Sequence, residues 1–206
     1  MASRTQISKF RRVELQRAAY EVAIRYGFHA ITIEQIARHA GVSKGIVHHY
    51  FRSKQHLVEH AVRYAHLVYR REVVDRLKLA RTPSERLWSI VEGTFAPEMF
   101  KPEICRLWLT IFDVLKYDAR LARLYGILDK RSISLTMTTL KQLLNEPEVD
   151  QAAYSIMGLM DGLWILSATE PEVTREAALS IIAAYIRRNI PGFDMTAVKL
   201  RPLSEM

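Results

Sequence analysis

Lys44, His48 and His49 fall on one side of the segment Ser43–Phe51, and Val47 and Phe51 fall on the other. A lysine on an exposed helix face can donate to O6 and N7 of guanine in a DNA major groove. The residues ahead of this segment predict a second short helix. Thr32 can cap it, with Gln35 three positions on completing a capping box. Ile33, Ile36, Ala37 and Ala40 then share one apolar face at i, i+3, i+4 and i+7. Gly41 supplies the turn, and Ser43 can cap the helix that carries Lys44. Ala37, Gly41 and Val47 have helix-turn-helix spacing: a small residue where the helices touch, a glycine in the turn, a branched aliphatic beneath the second helix. In such a motif the second helix enters the major groove. The same spacing also suits any helical hairpin with a glycine between its helices.

Charge decides between these readings. The chain of 206 residues has a net charge of +8. Residues 1–70 hold twelve Lys plus Arg against four Glu, whereas residues 71–206 hold eighteen of each sign. All the excess positive charge therefore lies with the helix-turn-helix, as expected of a nucleic-acid module.

Other constellations are weaker. His56 and His60 are four apart on a predicted helix, which is metal-ligand spacing. Glu59 is the only acid beside them on that helix and no cysteine is near, so no metal site is expected. Cys105, the single cysteine, has no histidine close in sequence, and all seven histidines lie within the first 66 residues. It reads as a small buried residue and allows no internal disulfide. No catalytic residues, no enzyme activity and no cofactor are expected. MASRTQISKFRR at the start has no apolar stretch behind it and reads as a basic arm rather than a signal peptide. The stretch Gln151–Thr169 approaches membrane length, but Asp161 lies in it. A carboxylate there would cost about 2.5–3.5 kcal/mol on insertion, so a buried helix is expected and no membrane partner.

The elements that must position these residues read as all-α. Helix 1 spans Phe10–Tyr26 and ends at Gly27. A long fourth helix runs from Lys54 to about Ala80, bearing Leu57, Ala61, Tyr64 and Val68 on one stripe. Further helices are predicted over Pro83–Phe95, Pro102–Tyr117, Ala119–Leu144, Glu148–Thr169 and Val173–Asn189. No segment alternates with period two, so no sheet is predicted. The reading is a three-helix DNA-binding domain over 1–53, a connecting helix over 54–81, a helical effector-binding and dimerisation domain over 82–190, and a loose tail over 191–206. The last helix is apolar on most faces, which in a terminal helix points to a partner subunit. Ile182, Tyr185 and Ile186 are expected at that interface, with Gly158 and Gly162 allowing close helix approach.

The run T-I-x-x-I-A-x-x-A-G-V-S-x-G-x-V-x-x-Y-F-x-x-K over Thr32–Lys54 resembles the DNA-binding domain of the TetR family of bacterial transcriptional regulators. The likeness extends over roughly residues 9 to 69. It implies that Lys44, Gly45 and His48 lie against base edges, and that Thr32, Ser43, His49, Tyr50 and Lys54 contact phosphates. It also implies a homodimer paired through its last two long helices, a palindromic double-stranded operator, and a cytoplasmic, nucleoid-associated location.

The second half resembles BetI-type repressors, the choline-sensing branch of that family. Glu92-Gly93-Thr94-Phe95, Trp108-Leu109-Thr110-Ile111-Phe112 and Asp161-Gly162-Leu163-Trp164 carry the likeness. Trp88, Phe95, Trp108, Phe112, Tyr125, Asp161 and Trp164 are the candidate effector residues. Ring faces plus a carboxylate are what a quaternary ammonium requires, although any one of these aromatics suits ordinary core equally. The chain departs from the BetI pattern at Ala96, Asp113 and Ile165-Leu166-Ser167. The expected effector is therefore a cationic or apolar amine that need not be choline. The expected function is a ligand-responsive repressor that releases its operator when the effector binds. A DNA-binding structural protein of the same fold, without a ligand, is the alternative, and an enzyme on a helical scaffold a weaker one.

Overall fold

The computed structural model of the chain describes residues 4–196 and residue 198. Among them are nine α-helices and no strand: α1 (Arg4–Tyr26), α2 (Ile33–His39), α3 (Lys44–Tyr50), α4 (Lys54–Leu77), α5 (Pro83–Thr94), α6 (Pro102–Tyr117), α7 (Ala119–Leu140), α8 (Glu146–Thr169) and α9 (Arg175–Asn189). Every predicted helix is present, and the differences lie at the ends. The N-terminal arm is helical from Arg4, so α1 starts six residues before Phe10. α7 stops at Leu140, short of Leu144. α8 takes Pro147 into its first turn, where the missing amide would have no intrahelical partner in any case. The start of the predicted tail is anchored: the Asp194 amide donates to Ser84 Oγ at 2.9 Å. Residue 197 and residues 199–206 of that tail lie outside the described residues.

The chain divides into two compact units at boundaries other than those read from the sequence. One comprises the residues up to Val68 together with Glu103–Gly126; the other comprises Tyr69–Pro102 and the residues from Ile127 onward.

In the first unit α1, α2 and α3 close around Leu15, Ala19, Phe28, Ile31, Ile36, Val47 and Phe51, all essentially without solvent contact. Helix α6 joins the same core. Phe28 meets the Trp108 ring edge-on at a centroid distance of 6.4 Å, and the Phe28 amide donates to Thr110 Oγ1 at 3.4 Å. This is the reason the unit extends beyond residue 53. Glu59 on α4 is buried and held by two guanidiniums, Arg63 at 2.8 Å and Arg120 of α7 at 2.9 Å. A carboxylate with so little access to water needs such partners.

A chain of imidazoles ties α1 to α4 beneath α3. The Gln16 amide lies 2.5 Å from His60 Nδ1, His60 Nε2 lies 3.0 Å from His56 Nε2, and the Arg52 amide donates to His56 Nδ1 at 3.4 Å. A neutral imidazole carries one N–H. One assignment satisfies all three contacts: His56 Nε2–H donates to His60 Nε2, and His60 Nδ1–H donates to Gln16, which places the amide oxygen of Gln16 toward the ring. Phe51 packs edge-on against both imidazoles, at 5.7 and 5.2 Å.

In the second unit α9 packs on α8 and on α5. Leu87, Ile90, Val91, Phe95, Ile156, Met160, Leu163, Ala178, Ile182 and Ile186 form its core. Gly93 is required where α5 crosses α4, since a Cβ there would lie 2.7 Å from Val73 Cα.

The imidazole chain makes stability depend on pH. Burial, then the neighbouring His56, pushes His60 down to about 4, against the pull of Glu59; Arg12 and Arg63 add to the depression. His56 is lowered as well, chiefly by burial. Both are neutral in the folded chain and protonate more readily when unfolded. The stability they contribute is thus complete above about pH 6.5 and is lost as the pH falls from there through about 4. The melting temperature should fall steeply between pH 6.5 and 4.5, and His60→Gln should flatten that fall. Equal slopes for the two proteins would assign the acid sensitivity to other groups.

Candidate nucleic-acid interface and effector site

Two short helices present the candidate DNA face. Thr32 caps α2 with the full box: its Oγ1 accepts from the Gln35 amide at 3.2 Å, and its own amide donates to Gln35 Oε1 at 2.7 Å. The Thr32 hydroxyl proton remains available to a phosphate oxygen. Ser43 caps α3 by accepting from the Ile46 amide at 3.3 Å. Gly41 stands at φ 65°, in the left-handed region that the sharp turn requires. Val47 is fully buried and sets the rotation of α3, while Lys44, Gly45, His48 and His49 are exposed to solvent. Tyr50 is half-buried, with its ring edge-on to His49 at 5.1 Å. The eight residues expected to meet DNA thus lie on or beside α2, α3 and the start of α4.

Two lysines of this set are already engaged. Lys54 Nζ donates to the carbonyl of His29 at 2.5 Å, tying the start of α4 to the turn between α1 and α2. Lys44 Nζ pairs with Glu34 of α2. Hydrogen bonding from Lys44 holds the Glu34 carboxyl below the usual carboxylate range, and the Lys44 and His48 charges add to the effect. The sequence reading did not single out Glu34. Its signal was its isolation, because it is the only acid between Glu21 and Glu59.

The candidate effector residues form two groups, one in each unit. In the first unit the Trp108 and Tyr125 rings lie 6.4 Å apart, and Tyr125 and Phe112 lie 6.0 Å apart. Phe112 is 55% exposed. In the second unit Trp164 meets Phe100 edge-on at 5.7 Å, and Phe100 meets Phe95 at 4.8 Å. The indole N–H groups of Trp108 and Trp164 are buried with no hydrogen-bond partner. Trp88 is core, close to Glu92, whose carboxyl is pushed up by burial against the opposing pull of Arg76, the Trp88 indole and Arg175. Asp161 is exposed in the single chain, and its carboxyl is raised by partial burial and by Asp129. Both carboxylates act on Tyr69, whose phenol is raised chiefly by burial and is hydrogen bonded with Ser132 and Thr94. Tyr69 and Phe100 were missed. The first sits inside a long charged helix, and the second lies between two prolines that read as a break.

Ile182 and Ile186, expected at a subunit interface, are completely buried within the second unit. Helix α9 uses them against α8 and α5. The large apolar residues facing outward on α8 and α9 are instead Tyr154 (64% exposed), Ile165 (47%), Leu166 (40%) and Ile181 (46%), with Tyr185 half-buried. Gly158 and Gly162 belong to the open side, where a Cβ would meet nothing within 4 Å.

Comparison with known proteins accounts for both halves. Residues 15–61 match the family of bacterial regulatory proteins, tetR family. Residues 83–191 match the family BetI-type transcriptional repressor, C-terminal. The chain is 34% identical over 184 residues to the HTH-type transcriptional regulator BetI of Yersinia pestis (strain Pestoides F), covering 87% of this chain and 92% of that one. It is 29% identical over 191 residues to BetI of Vibrio campbellii, covering 90% and 95%.

This chain belongs to the TetR family, in its BetI-type branch.

Solved structures agree on the fold. A regulator from Saccharomonospora viridis in complex with choline superposes at a TM-score of 0.78, with 21% identity over 88% of this chain and 98% of that one. A transcriptional regulator from Pseudomonas aeruginosa PAO1 gives 0.76, with 24% identity over 88% and 90%. The BetI-type regulator is thus a DNA-binding transcription factor whose site is a recognition surface. Among the described residues no helix is long and apolar enough to cross a membrane, and no group of three or more His, Cys, Asp or Glu could hold a metal ion.

Gly45 is not required by the packing of α3. It stands inside α3 with helical geometry, and a Cβ there would meet only Ser43 Oγ at 3.7 Å, an ordinary contact. Gly45 is the second residue of α3, where alanine is favoured over glycine by less than the helix-interior value of about 1 kcal/mol. Gly45→Ala should raise the unfolding free energy by a fraction of about 1 kcal/mol in denaturant titration. The same substitution should weaken binding to a duplex selected by the wild-type protein from a random library. A variant that binds this duplex as tightly as wild type would remove close backbone approach as the reason for the glycine.

Proposed function

We propose that this regulator is a homodimeric repressor that binds a palindromic operator through two copies of α3 and releases it when a cationic or apolar amine enters the second unit. The observation that supports the DNA part is the joint exposure of Lys44, Gly45 and His48 on a helix held in place by the burial of Val47. In this reading Lys44 donates to guanine, His48 lies against the neighbouring base, and Thr32, Ser43, His49, Tyr50 and Lys54 hold phosphates. The dimer rests on the outward face of α8 and α9, where Tyr154, Ile165 and Ile181 surround the open sides of Gly158 and Gly162. A cytoplasmic, nucleoid-associated location goes with such a partner.

For the effector, the second unit offers the better group. Trp164, Phe100 and Phe95 supply ring faces and edges, and the Asp161 and Asp129 carboxylates lie near the Tyr69 phenol. Trp164 follows Asp161 by three residues on α8, so the two are neighbours on the helix surface. A cation with an apolar body gains about 0.5–2 kcal/mol from a well-placed ring. Choline is the ligand in the Saccharomonospora viridis regulator's structure. Here the same chemistry extends to larger quaternary and polyamine cations. Coupling of about 1–3 kcal/mol between effector and operator is enough for a 5- to 150-fold change in DNA affinity.

With about four Lys or Arg of the basic first unit, Lys54 among them, neutralising phosphates in each protomer, log K for the operator should fall against log salt with a slope near −7, or about four decades between roughly 50 and 200 mM. Lys44→Ala should cost about 1–3 kcal/mol and relax selection at one base pair per half-site, whereas Lys54→Ala should weaken all sequences alike. A Lys44→Ala protein with unchanged operator affinity would dismiss α3 as the reading helix.

A thermal-shift series of quaternary amines and polyamines tests the effector. Loss of the shift in both Trp164→Ala and Asp161→Asn identifies a cation. Loss in Trp164→Ala alone identifies a neutral apolar ligand. A full shift in both variants would place the effector outside this group.

A further inference from the structure

We infer that Glu34 is a specificity-determining residue that acts through Lys44: it keeps the ammonium directed at a base edge and withholds its charge from phosphates. The inference rests on the reading of Lys44 as a base contact and goes beyond it. Three observations carry it. Glu34 Oε1 pairs with Lys44 Nζ across the gap between α2 and α3. The same carboxylate feels the charge of His48, so the one acid of this segment acts on both side chains among the residues assigned to base edges, Lys44 and His48, beside the glycine. Both partners of the pair are more than half exposed, at 58% and 51% for the lysine and the glutamate, so the contact occupies the open face and has no part in the core.

The physical argument starts from the lysine. An ammonium on a flexible four-carbon stem is a mobile point charge with three rotatable donors. Next to DNA such a charge finds a phosphate on any sequence, and binding becomes tighter and less selective. A carboxylate fixed on the neighbouring helix changes both properties. It takes one of the three N–H donors and partly compensates the charge, which weakens the attraction to a bare phosphate. Two N–H donors remain, matching the paired acceptors O6 and N7 of guanine. Glu34 itself is repelled by the phosphates of any duplex, which adds a sequence-independent penalty. Affinity is thus lowered on all DNA, and less so where guanine meets Lys44. Such repulsive elements are a recognised way of building specificity.

The pair is exposed, so its effect on fold stability is small. Glu34 is the second residue of α2, and its replacement by Gln leaves the Thr32–Gln35 capping box intact. The variant should therefore fold, and its thermal transition should lie close to that of wild type.

The test uses full-length wild type, Glu34→Gln, Lys44→Ala and the double variant. Fluorescence anisotropy is read on poly(dA-dT), which has no guanine, and on a duplex selected by the wild-type protein from a random library. Glu34→Gln should tighten binding to poly(dA-dT) by about 2- to 5-fold, in line with one exposed charge pair. Its salt slope there should steepen by about 0.9 per protomer as Lys44 becomes free to neutralise a phosphate. The selected duplex should gain less, so the ratio of the two affinities falls. In the Lys44→Ala background the steepening should vanish. Equal tightening on both duplexes, or the same steepening without Lys44, would overturn the inference and make Glu34 a general repulsive charge. No change in Glu34→Gln, with Lys44→Ala still weakening the selected duplex, would overturn it while leaving the base contact in place. An inert Lys44→Ala would remove the base contact itself, and the role of Glu34 with it.

Discussion

The recognition surface depends on the burial of two side chains, Val47 and Phe51. Helix α3 has seven residues, far fewer than an isolated helix needs to be stable in water. Its caps help, but Ser43 contributes about 1 kcal/mol at most sites of this kind. What holds α3 in place is the insertion of Val47 and Phe51 into the core, each with no solvent contact. Burying side chains of this size is worth about 1.5–3 kcal/mol apiece. Their direction also fixes which residues look outward. Lys44 and His48 flank the Val47–Phe51 stripe of α3 and are exposed, with Gly45 and His49 further round the helix. The reading face is what the packing of Val47 and Phe51 leaves open to solvent.

Phe51 passes that constraint on to other elements. Its ring rests on His56 and His60, which link through Gln16 to α1. Phe28 in turn fixes the turn between α1 and α2 against Trp108 and Thr110 of α6. Helix α6 therefore belongs to the unit that carries the DNA face. Each link is a packed ring or a part-buried hydrogen bond, and the rings leave the geometry little freedom. The electrostatics follow the same layout. Buried Glu59 is neutralised locally by Arg63 and Arg120, whereas Glu34 is the lone exposed acid of the helix-turn-helix. One carboxylate therefore serves the interior and the other tempers an otherwise positive surface.

Much of this was legible in the sequence, for identifiable reasons. The caps at Thr32 and Ser43, the left-handed turn at Gly41 and the inward direction of Val47 are local properties, and the structure has all four. The helix ends at Gly27 and before Pro83 and Pro102 were legible because glycine and proline act on their own backbone. The alliance of α6 with the N-terminal helices was not, since it depends on a contact between Phe28 and Trp108, eighty residues apart. Ile182 and Ile186 were misplaced for a related reason. A helix apolar all round shows that two faces are covered, and its sequence does not say which face meets its own chain. The seven candidate effector residues shared a family resemblance and an aromatic composition, neither of which carries distance. Hence Trp108 and Trp164 fell into one list and into two units.

The departures from the BetI pattern bear on the proposed effector once their burial is known. Asp113 and Ile165 are exposed in the single chain, so neither alters an interior surface of its own unit. Ala96 differs. It is fully buried beside Phe95, within the group that also holds Phe100 and Trp164. Where the BetI pattern has an acidic side chain, this chain has a methyl group. A carboxylate buried among rings would be costly without a cation beside it, so an acid there implies a permanent charge in the ligand. With alanine the requirement disappears from that side, and the remaining carboxylates, Asp129 and Asp161, lie toward Tyr69. For the proposed cationic or apolar amine, Asp129 and Asp161 beside Tyr69 are the carboxylates on offer, and Ala96 adds apolar surface beside Phe95.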